Sequence, residues 1–262
     1  MAESSVLTLP LRRQTADNDT SGFRVWRPLT SEARWPAAAT ALLLCDIWDR
    51  HWCPAAEVRL EHMLPRMQQV VTVLRERGVQ IVHAPSETMP FYEQSPARRR
   101  VLAAPTVAPP SDAAHDDPPL PFATPGGGCD APGATSHKTW SRQHPGIQID
   151  ETADAISDNG RELYSFYRQR GITHILLMGV HTNMCVLHRS FAIKQMVRWG
   201  FDVALIRDLT DAMYDPASPP YVSHAEGTRL VVEFIEKFWC PTVESIKFTL
   251  PPLEPPTRRS LE

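Results

Sequence analysis

The sequence predicts a doubly wound α/β fold, a three-layer α/β/α arrangement around a mostly parallel sheet. Three observations carry that expectation. ALLLCDI (41–47), VQIVHA (79–84), THILLMGV (173–180) and DVALIRD (202–208) are short continuous apolar runs, the pattern of strands covered on both faces. Segments with apolar residues at helical spacing stand between them, several closed by a glycine. A chain of 262 residues also has room for a sizeable core without disulfide support.

The elements follow in order. Residues 1–37 alternate weakly around the polar centre TADNDTSG and read as an N-terminal hairpin or arm. ALLLCDI is the first buried strand and ends on an aspartate. Over residues 58–77, Leu64, Met67, Val71 and Leu74 share a helical face, and Gly78 after Arg75-Glu76-Arg77 is a C-cap signal. VQIVHA follows at once. Arg161 to Arg170 sets Leu163, Phe166 and Tyr167 on one face and stops at Gly171, before THILLMGV. Residues 185–199 are helical in pattern and stop at Gly200. DVALIRD, a helix around Gly227 to Phe238 and a β-rich piece, VESIKF, complete the alternation. Strand and helix in this order, joined by right-handed crossovers, leave few arrangements.

Proline is unusually frequent, 25 against 12 glycines. Eight prolines fall between Ala104 and Pro132 with Gly126-Gly127-Gly128, in a stretch with no apolar periodicity. That stretch reads as an insertion over 104–135, a semi-rigid lid or subunit-contact loop inside one domain of residues 38–250. A second cluster lies in a Pro-rich tail, 251–262.

With 27 Lys plus Arg against 30 Asp plus Glu, the net charge of -3 offers no polycationic surface, so neither nucleic acid nor a membrane is expected as partner. The start, MAESSVLTLPLRRQ, lacks a basic region leading into an apolar one, and no apolar window approaches a membrane span. A soluble, cytoplasmic protein with reduced thiols is expected. Its cysteines, Cys45, Cys53, Cys129, Cys185 and Cys240, are odd in number and include no C-x-x-C pair, so no disulfide framework is expected.

Ligands of an open parallel sheet bind beyond the carboxyl ends of the strands, near the reversal of strand order. The residues there are Asp46, Asp49 and His51; His83 and Glu87; His181, Asn183 and Cys185; and Asp208 and Asp211. Cys185 sits where a strand turns into a helix, and a helix N-terminus favours a thiolate. It reads either as a low-pKa nucleophile or as a small residue packing the corner. Asp46 ends an aliphatic run, where an unpartnered carboxylate is costly. It reads as a general base or as a capping or salt-bridged group.

ALLLCDIWDRHWC, ILLMGVHTNMCVLHRSF and VALIRDLTDAMYD together resemble the isochorismatase-like cysteine hydrolases, a superfamily that includes nicotinamidases and N-carbamoylsarcosine, ureidoacrylate and biuret amidohydrolases. The resemblance spans about residues 38–240, and G-V-x-T-x-x-C is its most specific part. It implies a six-stranded parallel sheet, Cys185 as nucleophile and Asp46 as base. It also implies a cis Val180–His181 peptide, with the amides of His181 and Cys185 forming an oxyanion hole. The implied reaction is hydrolysis of a C–N bond in a small amide, ureido or carbamoyl compound through a thioester, by a homo-oligomer with no cofactor.

The family's third catalytic residue, a lysine, has two candidates in SHKTWSRQHPGIQI: Lys138 and Arg142. An arginine there would hold charge without shuttling a proton. Nicotinamidases bind a metal through a D-x-H pair after the second strand. Here that place reads His83-Ala84-Pro85-Ser86-Glu87, so no metal site is assigned, although His51, His83, His181 and Asp49 would suit zinc if they converged. Trp48, His51, Trp52, His83 and Asn183 are the candidate substrate pocket, with core packing the other reading of the tryptophans. The competing functions are a metal-dependent, nicotinamidase-like amidase and a catalytically silent α/β binding or scaffold protein.

Overall fold

Consecutive side chains on a buried strand point to opposite layers, and each layer here has its own helices. The computed structural model describes residues 5–249; the Pro-rich tail expected over 251–262 lies outside them. The strands are β1 (Val6–Asn18), β2 (Arg24–Pro36), β3 (Thr40–Cys45), β4 (Gln80–Ala84), β5 (Ala155–Ile156), β6 (His174–Val180), β7 (Asp202–Asp211) and β8 (Thr242–Val243). The helices are α1 (Pro54–Glu76), α2 (Pro96–Leu102), α3 (Gly160–Arg170), α4 (Cys185–His188), α5 (Ile193–Arg198), α6 (His224–Phe238) and α7 (Ile246–Thr249). Leu42 and Leu44 of β3 join Met67, Val71 and Leu74 of α1 in one apolar cluster. Ala41, Leu43 and Cys45 join Leu163 and Phe166 of α3 and Val231 and Ile235 of α6 in the other. The three-layer expectation holds.

The sheet has eight strands in the order β2-β1-β8-β7-β6-β3-β4-β5. Strands β3 to β8 run parallel, and the antiparallel β1–β2 hairpin extends this six-stranded set at the β8 edge through Arg12 opposite Thr242. The buried Glu236 carboxylate of α6 fixes the hairpin: it accepts from Arg12 Nε at 2.8 Å, Gln14 Nε2 at 3.1 Å and Thr242 Oγ1 at 2.5 Å. No helix among the described residues is long and apolar enough to cross a membrane.

Strand order reverses between β3 and β6, which pair from Thr40 opposite His174 to Cys45 opposite Gly179. The chain segments leaving these strands, with Asp46 and His181, are therefore neighbours. Gly179 makes the approach possible: its φ is +129°, and a Cβ there would stand 2.0 Å from the Cys45 carbonyl oxygen.

Three local expectations are corrected. The helical pattern of 185–199 breaks into α4 and α5, because the chain is extended at Arg189 (φ −61°, ψ 151°) and Ala192. VESIKF gives one helical turn, α7, beside the two-residue β8, with the Ser245 N–H and hydroxyl both held by Asp208. Cys53 and Cys129 form a disulfide across 76 residues of sequence. Motif spacing could not reveal that pair, because it exists only where the Pro-rich insertion folds back on the start of α1.

The insertion is tied down along its length. Asp112 accepts from Gln195 and the Trp199 indole, and Asp117 from Lys194. The His115 ring lies on Trp239 at 4.1 Å, and Phe122 packs against Tyr214 at 4.5 Å. Asp130 takes a two-pronged bond from Arg59 of α1.

Candidate active site

Asp46 leaves β3 with a left-handed backbone (φ +50°) and a fully buried side chain. Its Oδ1 accepts the Ser86 N–H at 2.7 Å, and its Oδ2 accepts Arg189 Nε at 3.1 Å. Burial raises its proton affinity above that of an ordinary aspartate, while Arg189, the Cys185 thiol and Ser86 pull the other way. The carboxylate is thus held by donors on two sides and kept out of water.

Cys185 opens α4 and is partly buried, and its thiol lies close enough to Asp46 and Arg189 to feel both charges. Burial, and then the charge of Asp46, push this thiol well above its usual range, with Arg189 opposing. This corrects the expected low-pKa thiol: α4 is a single turn, and desolvation outweighs what its N-terminus supplies.

The Val180–His181 peptide is cis. The His181 carbonyl accepts from Met184 and Val186, which sets the first turn of α4, and among the described residues the Cys185 N–H has no protein acceptor. His181 is buried and neutral: desolvation, then the neighbouring His51, bring its pKa down to about 3.

Neither basic candidate from SHKTWSRQHPGIQI reaches this pair. Lys138 donates to the Glu87 carbonyl at 2.7 Å, and Arg142 Nε lies 3.9 Å from Asp49 on a half-exposed side chain. The physical reason is the path of the segment, which runs beside the chain leaving β3, with Trp48 bridged to Gln143 and the His144 N–H on the Ile47 carbonyl. The cation beside Asp46 is Arg189, which sequence reasoning missed. The signal was its position four residues after Cys185, one helical turn, on the same face.

Two expected pocket residues are structural instead. His83 is buried with both ring nitrogens engaged, Nδ1 with Gln143 and Nε2 with Asp154, each at 2.9 Å. Asn183 clasps Met213, donating to its carbonyl and accepting its N–H, both at 2.9 Å. Trp48 and His51 do line a narrow cleft of about 40 Å3, together with Asp46, Leu60, Val180 and His181. Cys185 is not in that lining and borders the cleft through Asp46 and His181. Trp48 stacks on Trp140 at 4.2 Å and donates its indole N–H to the Ser86 carbonyl; Trp140 is a second residue missed from sequence. Trp52 stands behind His51 and packs against Gly127 of the insertion, where a Cβ would come within 3.0 Å of its ring.

A metal is not favoured by these side chains. His83 has no free nitrogen, so His51, His83 and His181 do not converge on one point. Among the described residues, the one grouping of three or more ligand-type atoms is Cys53, Cys129 and Asp130, whose two sulfurs are bonded to each other.

The isochorismatase domain family model matches residues 40–218. No curated protein matches the sequence. Among solved structures, the chain is similar to a cysteine hydrolase from Pseudomonas syringae pv. phaseolicola 1448A, with a TM-score of 0.51 and 16% identity over 82% of this chain and 93% of that one. It is also similar to an isochorismatase from Pseudomonas putida KT2440, with a TM-score of 0.52 and 10% identity over 81% of this chain and 91% of that one. At these identities the likeness is one of fold.

Proposed function

We propose that this chain, which belongs to the isochorismatase domain family, is a cysteine hydrolase that cleaves a C–N bond in a small amide, ureido or carbamoyl compound. The observation that carries the reading is the buried Asp46 carboxylate, anchored by Ser86 and Arg189 within the electrostatic reach of the Cys185 thiol. A nucleophile beside a base held by further groups is the arrangement covalent hydrolysis needs. The proton of Cys185 passes to Asp46 as the sulfur bonds to the substrate carbonyl carbon. The C–N bond then breaks, the nitrogen leaves with the proton from Asp46, and a thioester remains on Cys185. Water adds to the thioester, giving a proton to Asp46, which returns it to the sulfur as the C–S bond breaks. The sum is substrate plus water giving acid plus amine.

The developing oxyanion is assigned to the N–H groups of His181 and Cys185, and aimed backbone donors of this kind supply about 3 kcal/mol each. The cleft is narrow, with Trp48 on one wall, which favours a small substrate. Assembly as a homo-oligomer belongs to the same proposal, and light scattering that gives a monomer would count against it. The test of function is a screen of small amides, ureides and carbamoyl compounds for ammonia or amine release, run beside Cys185→Ala. Release that needs Cys185 supports the reading; activity surviving the substitution overturns it.

A further inference from the structure

We propose that Arg189 is the fixed cation of this site, a positioning residue that holds the Asp46 carboxylate against the Cys185 sulfur and leaves Asp46 as the one group there that exchanges a proton. The inference rests on the hydrolase reading for its catalytic meaning and on geometry for its content. Arg189 Nε lies 3.1 Å from Asp46 Oδ2, while the other carboxylate oxygen is held by the Ser86 N–H at 2.7 Å. Two donors at opposite ends fix the plane of the carboxylate, whose charge reaches the Cys185 thiol. The backbone of Arg189 is itself tethered: its N–H donates to the Cys185 carbonyl at 3.1 Å, and its carbonyl accepts from Ala192 at 2.9 Å. Nucleophile and cation are therefore tied to each other across one turn of backbone.

The other charged or titratable groups facing the pair leave no rival. Cys45, at the end of β3, is a fully buried thiol whose proton affinity is raised by desolvation and then by Asp46. Glu87, after β4, faces the outer guanidinium edge, with Oε1 3.8 Å from Arg189 Nη2. His181, after β6, is neutral, and Lys138 is spent on the Glu87 carbonyl. A guanidinium stays protonated at every working pH, so it stabilises the ionised carboxylate and the developing thiolate without taking part in proton transfer. Both effects have the same sign: Arg189 lowers the proton affinity of Asp46 and of Cys185.

The test is alkylation of Cys185 by iodoacetamide in the full chain, followed by mass spectrometry of the Cys185 peptide from pH 5 to 10. In that reaction the sulfur displaces iodide, forming the C–S bond, and the thiol proton leaves through Asp46 to water. Arg189→Gln is expected to slow alkylation at pH 7 about tenfold. Arg189→Lys, charged at that pH, is expected to restore the rate to within about threefold. An Arg189→Gln rate at pH 7 within about threefold of wild type overturns the proposal. So does a folded Arg189→Lys slowed as much as about tenfold, and this second variant decides the matter if Arg189→Gln does not fold. Alkylation needs no substrate, so the two readings fail separately. Amide hydrolysis surviving Cys185→Ala refutes the hydrolase reading; unmoved alkylation in a Cys185-dependent hydrolase refutes the role of Arg189 alone.

Discussion

Replacing Asp46 by asparagine separates chemistry from stability at the centre of the site. Both oxygens of the buried carboxylate accept hydrogen bonds, from Ser86 N–H at 2.7 Å and Arg189 Nε at 3.1 Å. An amide has one acceptor and one donor end, so one of these partners must face an N–H. Ser86 is buried and cannot move to water, so the amide oxygen should stay with it and the NH2 should face Arg189. The lost charge-assisted bond is worth about 1.5–3 kcal/mol. Arg189 keeps 31% of its side chain exposed and has Glu87 within 3.8 Å, so it can turn outward and recover part of that. Removing a desolvated charge offsets more. Asp46→Asn should therefore cost only about 1 kcal/mol in urea unfolding. The base, however, is gone, and general acid–base catalysis contributes roughly 10²- to 10⁴-fold, about 3–5 kcal/mol of barrier. Parallel measurements of amine release and of the urea midpoint check both numbers. A folded Asp46→Asn enzyme within threefold of wild-type kcat/KM would refute the reasoning.

Gly179→Ala would place a Cβ 2.0 Å from the Cys45 carbonyl at a φ of +129°; a loss of about 4 kcal/mol or more by urea unfolding, or failure to fold, is expected, and a near-neutral effect contradicts the packing described. The Cys53–Cys129 bridge closes a loop of 76 residues, so the double alanine variant should lose on the order of 2–4 kcal/mol in calorimetry; an unchanged Tm under non-reducing conditions would show the bridge does not form. His181 titrates near pH 3 when folded and near 6.5 when unfolded, so below 6.5 the unfolded chain binds a proton the folded one does not. Stability should fall on the order of 3 kcal/mol from pH 6.5 to 4, with a smaller slope in His181→Gln, and equal slopes in urea titrations would contradict the burial argument. Residues 106–130 carry Cys129, Asp112, Asp117 and Asp130 with their partners. Deleting them should lower the Tm by several degrees, and an unchanged Tm would restore the reading of a free lid.

Properties with a local physical cause were legible in the sequence. Continuous aliphatic runs can be buried only between two layers, so β3, β4, β6 and β7 announce a covered parallel sheet, and the strand-end rule then points to Asp46 and Cys185. What escaped depended on how distant segments meet. The helical pattern after Cys185 hides the break between α4 and α5 at Arg189 and Ala192. His83 ends a strand as a ligand would, but Gln143 and Asp154 arrive from over 50 residues away to occupy its ring. Asn183 sits among polar neighbours yet serves to clasp Met213. The Cys53–Cys129 pair and the Trp48–Trp140 stack likewise need the insertion and the segment after it to be folded in place.

The claim that Cys185 is the covalent nucleophile is tested most directly by rapid quenching of wild-type enzyme with an excess of a hydrolysed amide, followed by mass analysis of the Cys185 peptide. The account predicts an acyl adduct on Cys185 with a matching burst of amine, and neither in Cys185→Ala. Amine release at the wild-type rate from Cys185→Ala, with no adduct in either protein, would contradict it.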